Sequence, residues 1–408
     1  MILYSSYFVL LSMFLLNIGS YFDFAFTAIN VGVGMRTVAI QFAILIVVGL
    51  IITNRRPNML VWREILVVVA VWTPFLLYMA LRVDSDNPYS VLKFLKIFTI
   101  AFLCVVTVTA TYLCDARTFL RLLPIVIIAL SVLLGVEAMM NPEQFRYRSV
   151  IERLTVEGMN PIWLARSFAL AGVCLFLLPG QHYAMKFVGL ALVASGILPT
   201  GSRGPLISLI VTLTLWFMIK SQLSRVGMIL TTSATAIVIA SIMLFAGDRI
   251  ETAVGAYLSR GQSQGFVEES GRPQLFNLAM TEFLSSPVVG VGLGEYGKDA
   301  AFVGKAFSGR SPTQGFYPHN IILETLSELG VVGLLLIIIT MRPGRWLFDW
   351  KNQYFYLFLI TLLFSMSSGD INANIGVIVF GALARLTSQY PLDEQSISTE
   401  MSHMDPIT

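Results

Sequence analysis

The chain has 408 residues, of which 56% are apolar and only 12% charged, and its formal net charge is +3. Soluble domains carry about a quarter charged residues, and a soluble fold of this length could not hide so much apolar surface, whereas lipid is a solvent for it. The nearly neutral balance and the lack of any basic arm argue against a nucleic-acid partner.

A spanning helix needs about 20 mostly apolar residues. Such runs are expected near 4–22, 36–53, 64–81, 91–113, 118–139, 161–179, 184–199, 204–220, 226–246, 320–340, 353–368 and 371–388. The first run has no basic segment before it and no small-residue cleavage site after it, so it reads as a retained helix. Gly369 and Asp370 leave only a short turn between the last two. The expected fold is an all-α polytopic membrane protein with about twelve transmembrane helices. Residues 1–246 would hold nine of them, 247–319 one long outer loop, 320–388 three more helices, and 389–408 a polar cytoplasmic tail. Cys104, Cys114 and Cys174 lie in or beside apolar runs without metal-ligand spacing and read as packing residues.

Orientation follows from loop charge. With a cytoplasmic N-terminus, the short inner loops carry Arg55, Arg56, Arg63, Arg117, Arg121, Lys186, Lys220, Arg225, Arg342, Arg345 and Lys351. The short outer turn at 82–90 is acidic in balance. Both termini are therefore expected in the cytoplasm, and the long loop on the periplasmic side of a bacterial inner membrane. Long loops escape the positive-inside count, so the arginines of the outer side need their own explanation. These include Arg146, Arg148, Arg153, Arg203, Arg249, Arg260, Arg272 and Arg310. Ion pairing with loop glutamates is the plain reading. The sharper one is that a subset holds an anionic ligand at the membrane surface.

Inside the long loop, 272–286 reads as a helix lying on the membrane. Gly271-Arg272-Pro273 starts it, with proline tolerated in the first turn, and Ser286-Pro287 ends it. Gln274, Asn277, Thr281 and Ser285 share one face, with Leu275, Phe276, Ala279, Phe283 and Leu284 elsewhere. The glycine series Gly290, Gly292 and Gly294 then reads as a tight re-entrant turn rather than a phosphate cradle.

Two places stand out as candidates for chemistry, each against a plain structural reading: a connecting turn whose arginine reaches lipid headgroups, and an interfacial histidine that only packs. Thr200-Gly201-Ser202-Arg203-Gly204-Pro205 opens a helix on the outer face, so its N-terminal N–H groups and dipole point outward. Arg203 adds a planar fork suited to phosphate oxygens. Tyr317-Pro318-His319-Asn320 opens another such helix where the loop re-enters the bilayer. Histidine takes a proton near neutral pH, which suits His319 to general-base work. Glu324 and Glu328 are four apart and share a helix face. Carboxylates entering a membrane helix are costly and usually face a partner or cavity. His182, in a cytoplasmic turn, and His403, in the tail, offer no such context. No His, Cys, Asp and Glu cluster has metal spacing, so neither metal nor cofactor is expected. Asp84-Ser85-Asp86 reads as a polar turn.

These motifs together resemble the O-antigen ligase and polymerase superfamily of bacterial membrane proteins. The resemblance covers about 160–370. It rests on Asn160-Pro161, Ser202-Arg203-Gly204, Gly271-Arg272, Ser286-Pro287 with its glycine turn, and Pro318-His319-Asn320 with Glu328, Gly330 and Gly333, then Ser368-Gly369-Asp370 with Asn372. It implies a GT-C-like membrane glycosyltransferase acting at the periplasmic face. The donor would be a glycan on undecaprenyl pyrophosphate, and the acceptor a sugar hydroxyl such as that of lipid A-core, in lipopolysaccharide biosynthesis. Transfer would invert the anomeric centre without a metal. By position, Arg203 and Arg272 would bind the pyrophosphate, and His319 would receive the acceptor proton or orient the hydroxyl. Arg260, Glu328, Asn320 and Asp370 would support the site.

Arg260 and Gly271 also fit a spacing seen in polymerases, where an arginine precedes a glycine by eleven positions. It occurs once here and arises readily by chance, so an O-antigen or exopolysaccharide repeat-unit polymerase stays open beside the ligase. A lipid-linked glycan flippase would share the helix count. Transporters show internal repeats and polar residues at helix centres, whereas here the polar residues crowd the outer rim.

Overall fold

The computed structural model describes residues 59–140, 161–178, 183–200, 202–220, 272–298, 317–367, 369, 371 and 374–392. The expected helices at 4–22, 36–53 and 226–246, the tail beyond 392, and the loop stretches 141–160, 247–271 and 299–316 lie outside them. The described residues form helices α1 (Met59–Leu81), α2 (Pro88–Lys96), α3 (Leu103–Met140), α4 (Pro161–Leu177), α5 (Tyr183–Ile197), α6 (Arg203–Lys220), α7 (Arg272–Ser285), α8 (Ile321–Thr340), α9 (Phe355–Ser365) and α10 (Ile375–Gln389). No strand occurs among them; one isolated parallel bridge pairs Val83 with Leu293.

By length and composition, Met59–Leu81, the joined stretch Pro88–Met140, Arg203–Lys220 and Ile321–Thr340 are long and apolar enough to cross a membrane. A π-helical segment, Ile97–Phe102, links α2 to α3. Fifty-three helical residues would be about 80 Å long, far beyond a bilayer of roughly 30 Å. The stretch breaks at Asp115 (φ −154°, ψ 65°), between the two spans expected at 91–113 and 118–139. The Asp115 carboxylate accepts the N–H of Thr118 at 3.3 Å, as a helix N-cap does. A polar Asp-Ala-Arg step inside an apolar run thus ends one helix and starts the next. The last two helices stand further apart than Gly369 and Asp370 alone suggest. Helix α9 stops at Ser365 and α10 starts at Ile375, with Gly369 at φ +78° between them.

Helix α4 sits at the centre, packed on α3, α5, α6 and α9. Its Phe168 ring wedges between Gly135 and Gly196, where an added Cβ would lie about 3 Å from the ring atoms. Without a hydrophobic force between helices in lipid, such small-residue contacts carry the packing.

The break in α8 positions the rest. At Gly330 the backbone leaves the helix (φ 65°, ψ −167°), which frees polar groups that hydrocarbon cannot satisfy. The glycine turn at 287–294 satisfies them. Val291 and Gly292 donate to the Ser327 and Glu328 carbonyls at 2.8 and 3.0 Å, and Val331 and Val332 donate to Pro287 and Val288 at 2.9 and 3.1 Å. The contact is so close that a Cβ at Gly290 would stand 2.2 Å from the Glu328 carbonyl carbon, and one at Gly330 2.3 Å from the Val288 oxygen. The re-entrant turn expected from the glycine series is therefore a backbone plug for a broken helix.

Helix α7 also follows its expected pattern. Gln274, Asn277, Thr281 and Ser285 are exposed, Ala279 is buried, and Phe276, Met280 and Leu284 form an exposed apolar stripe. Such a helix suits the membrane interface, and its third face packs on α8.

Candidate functional site

Asn320 caps α8, its side-chain oxygen accepting the Ile322 and Leu323 N–H groups at 3.0 and 3.1 Å. Its amide also donates to the Met366 carbonyl at 3.4 Å. Asn320 is thus a structural cap that ties the start of α8 to the end of α9. Just before it, His319 holds a left-handed backbone (φ 59°), and its ring meets Tyr317 edge-on at 4.6 Å. Histidine enters this region more readily than most side chains. Backbone strain of this kind gathers where a side chain must be aimed.

Arg203 opens α6 and is partly buried. Thr200 and Ser202 shape the approach, the Ser202 N–H donating to the Thr200 hydroxyl at 3.2 Å. The next residue, Gly204, lies against Ser367, whose Oγ would stand 3.1 Å from an added Cβ. The starts of α6 and α8, hence Arg203 and His319, border one turn at Met366–Ser367. That turn is fixed from below by Arg166 of α4. Its guanidinium donates to the Phe364 carbonyl at 2.7 Å and to Asn374 Oδ1 at 3.1 Å, and lies over the Trp163 and Phe364 rings. Helix starts are positive at their N–H ends, so two of them gather with Arg203 at one rim, over the buried Arg166. This arrangement can hold an anion beside an imidazole.

A second polar cluster adjoins the first. Lys93 of α2 donates to Glu324 and to both oxygens of Glu328, the latter at 2.7 and 2.8 Å. All three side chains are at most 2% exposed. Glu328 Oε2 also accepts the Gly294 N–H at 2.8 Å. The shared helix face of Glu324 and Glu328 therefore exists, and its partner is Lys93. The turn at 82–87 clasps the same glycine turn. Arg82 donates to the Gly290 carbonyl at 2.7 Å, Asn87 to Glu295 at 2.6 Å, and Tyr78 to the Leu329 carbonyl at 2.8 Å. Asp84 accepts the Asp86 N–H at 3.0 Å and pairs with Lys298 at 3.1 Å. The Asp86 N–H, then Lys298, hold its carboxyl below the ordinary range. Asp-Ser-Asp is thus a polar turn, as its sequence suggests. Tyr296 donates to the Leu275 carbonyl in the first turn of α7 at 2.7 Å. Burial first, then the charges of Glu282, Glu324 and Glu328, push its phenol well up.

A third cluster lies at the opposite end of α1. Buried Glu64 receives Arg342 at 2.8 Å, Arg385 at 3.3 Å and the Tyr390 hydroxyl at 3.1 Å.

Arg272 opens α7, but its side chain, with Arg260 and Asp370, lies outside the described residues. Among the described residues no group of His, Cys, Asp and Glu gathers to hold a metal. Sequence motifs do not single out Lys93, Arg166, Glu64 or Arg385. Arg166 and Arg385 carry one signal, a lone ionisable residue inside an apolar run, which in a membrane helix implies a partner; Glu64 stands beside Arg63, and Lys93 three before Lys96.

Residues 188–338 match the family model described as O-antigen ligase, a segment that spans Arg203, Arg272, His319 and Glu328. Comparison with curated proteins gave no match.

Proposed function

We infer, from the match of residues 188–338 to the O-antigen ligase family model, that the chain works as a member of the O-antigen ligase and polymerase superfamily and transfers a glycan from undecaprenyl pyrophosphate to an acceptor sugar hydroxyl at the periplasmic face. One observation carries the reading: the helix starts bearing Arg203 and His319 border the same turn at Met366–Ser367. In the reaction the acceptor oxygen bonds to the anomeric carbon as the bond to the pyrophosphate oxygen breaks, with inversion. The acceptor proton passes to His319. Arg203 and Arg272 neutralise the charge that develops on the leaving pyrophosphate, where fixed donors stabilise a transition state most. The dipole of α6 adds to them. Neither a metal nor a cofactor has a part in these steps.

Attachment of a finished glycan to lipid A-core is the preferred form, because the sequence reads as holding a single long outer loop, 247–319, that ends in His319. The test is transfer by purified protein from a lipid-pyrophosphate-linked oligosaccharide. Arg203→Ala and His319→Ala should each abolish it; if both left transfer intact, the site assignment fails. Deletion strains separate the two branches. Loss of a ligase strands long glycan on the carrier lipid, whereas loss of a polymerase leaves single repeat units on the final acceptor. Translocation across vesicles without transfer would instead indicate a flippase.

A further inference from the structure

Lys93 lies in the second turn of α2, on the side of the molecule where His319 sits, and its side chain is fully buried. A lysine near a membrane interface normally extends its ammonium to water. This one turns inward, to Glu324 and Glu328. Glu328 is in turn bonded twice to the glycine turn, its carbonyl accepting the Gly292 N–H at 3.0 Å and its Oε2 the Gly294 N–H at 2.8 Å. One ammonium thus joins three segments remote in sequence: 88–96, 287–298 and the outer half of α8. Helix α7 runs directly into the glycine turn, and its first turn is held by Tyr296 from the far side of that turn. Any shift of the turn against α8 moves α7, and with it the backbone of Arg272. Five residues before Glu324 stands His319.

We propose that Lys93 is a positioning residue of the transfer site, holding the glycine turn and α7 in register with the outer half of α8 and so setting Arg272 against His319. The assignment rests on the proposed transfer activity. Lys93 contacts no substrate in this role, since its three N–H donors face the carboxylates it joins. An ammonium between two buried carboxylates is also what permits Glu324 and Glu328 to sit beside the break at all.

Lys93→Met alone leaves two buried carboxylates without their ammonium and is expected to lower the yield of folded protein. The decisive variant is therefore the neutral triple Lys93→Met/Glu324→Gln/Glu328→Gln, whose amide at position 328 still accepts the Gly294 N–H. The full chain in nanodiscs is compared with its parent by hydrogen exchange and by steady-state transfer. Exchange in 286–298 should rise at least tenfold while 161–178 stays unchanged, and kcat should fall at least tenfold with less than a threefold change in donor KM. Unchanged exchange in 286–298, or a kcat within twofold of the parent, overturns the proposal. Should the triple variant not fold, Lys93→Gln/Glu324→Gln, which keeps the cluster's net charge and the Glu328 carboxylate on the Gly294 N–H, is measured in the same two ways against the same thresholds. A parent protein that transferred no glycan would sink the transfer activity instead. The exchange arm would still decide whether Lys93 holds the turn.

Discussion

His319 combines a left-handed backbone with a place at the mouth of α8, and the two can be separated by substitution. Asparagine tolerates the same backbone region and keeps a hydrogen-bonding side chain, yet its amide takes no proton at working pH. A general base contributes about 10²–10⁴ in rate. His319→Asn should therefore leave the thermal midpoint unchanged and lower kcat by about that factor, read on the purified protein. If it kept more than about a tenth of the parent rate, orientation of the acceptor hydroxyl would suffice, and proton transfer to His319 would be excluded. His319→Ala carries a further cost of about 1–2 kcal/mol in stability, because alanine occupies that region poorly. The neighbouring Asn320 belongs to a different class. Its oxygen is spent on the first turn of α8, and Asn320→Ala should cost about 1 kcal/mol and destabilise the start of α8 rather than remove a reacting group.

At the scale of elements, the sequence shows its helices well and their breaks unevenly. The break at Asp115 is legible because a capping aspartate and an arginine interrupt apolar residues within a few positions. The break at Gly330 is not. It lies inside an apolar run, and its cause is the glycine turn some forty residues earlier that supplies its hydrogen bonds. Lys93 is hidden for the same reason. Its partners are 231 and 235 positions away, and no local pattern reports such a distance, although Glu324 and Glu328 announce by spacing that they face something. The plug makes a sharp prediction. Gly290→Ala adds a methyl where φ is +70° and the nearest backbone atom would be 2.2 Å away, so strain and overlap together should cost about 3 kcal/mol or more. Gly344→Ala is the control, since its added Cβ meets nothing nearer than 3.9 Å. Thermal unfolding in detergent should show a large loss for the first and almost none for the second. Equal midpoints would mean that the turn does not plug the break.

Across the whole molecule, the polar clusters stand at the two ends of α1. Glu64 and Arg82 are separated by about 27 Å of helix, near the roughly 30 Å of a hydrocarbon core. Glu64 gathers the end of α8 through Arg342 and the end of α10 through Arg385, while Arg82 grips the glycine turn at the middle of α8. Helix α8 therefore runs against α1, as alternating spans require. Arg385 is buried beside Glu64, so Glu64→Ala leaves a buried guanidinium without its carboxylate and should cost about 3–5 kcal/mol, again read by thermal unfolding. A loss below about 1 kcal/mol would mark the pair as solvated. Loop charge predicts that the Glu64 end faces the cytoplasm, because Arg342, Arg345 and Lys351 share it and basic short loops stay inside. Cysteine labelling decides it. In a Cys114→Ser background, where Cys104 and Cys174 are buried, Asp86→Cys and Lys351→Cys place single exposed thiols at opposite ends. A membrane-impermeant maleimide should modify the first in spheroplasts and the second only after lysis. The reverse pattern would put Arg203 and His319 in the cytoplasm and rule out transfer at the periplasmic face.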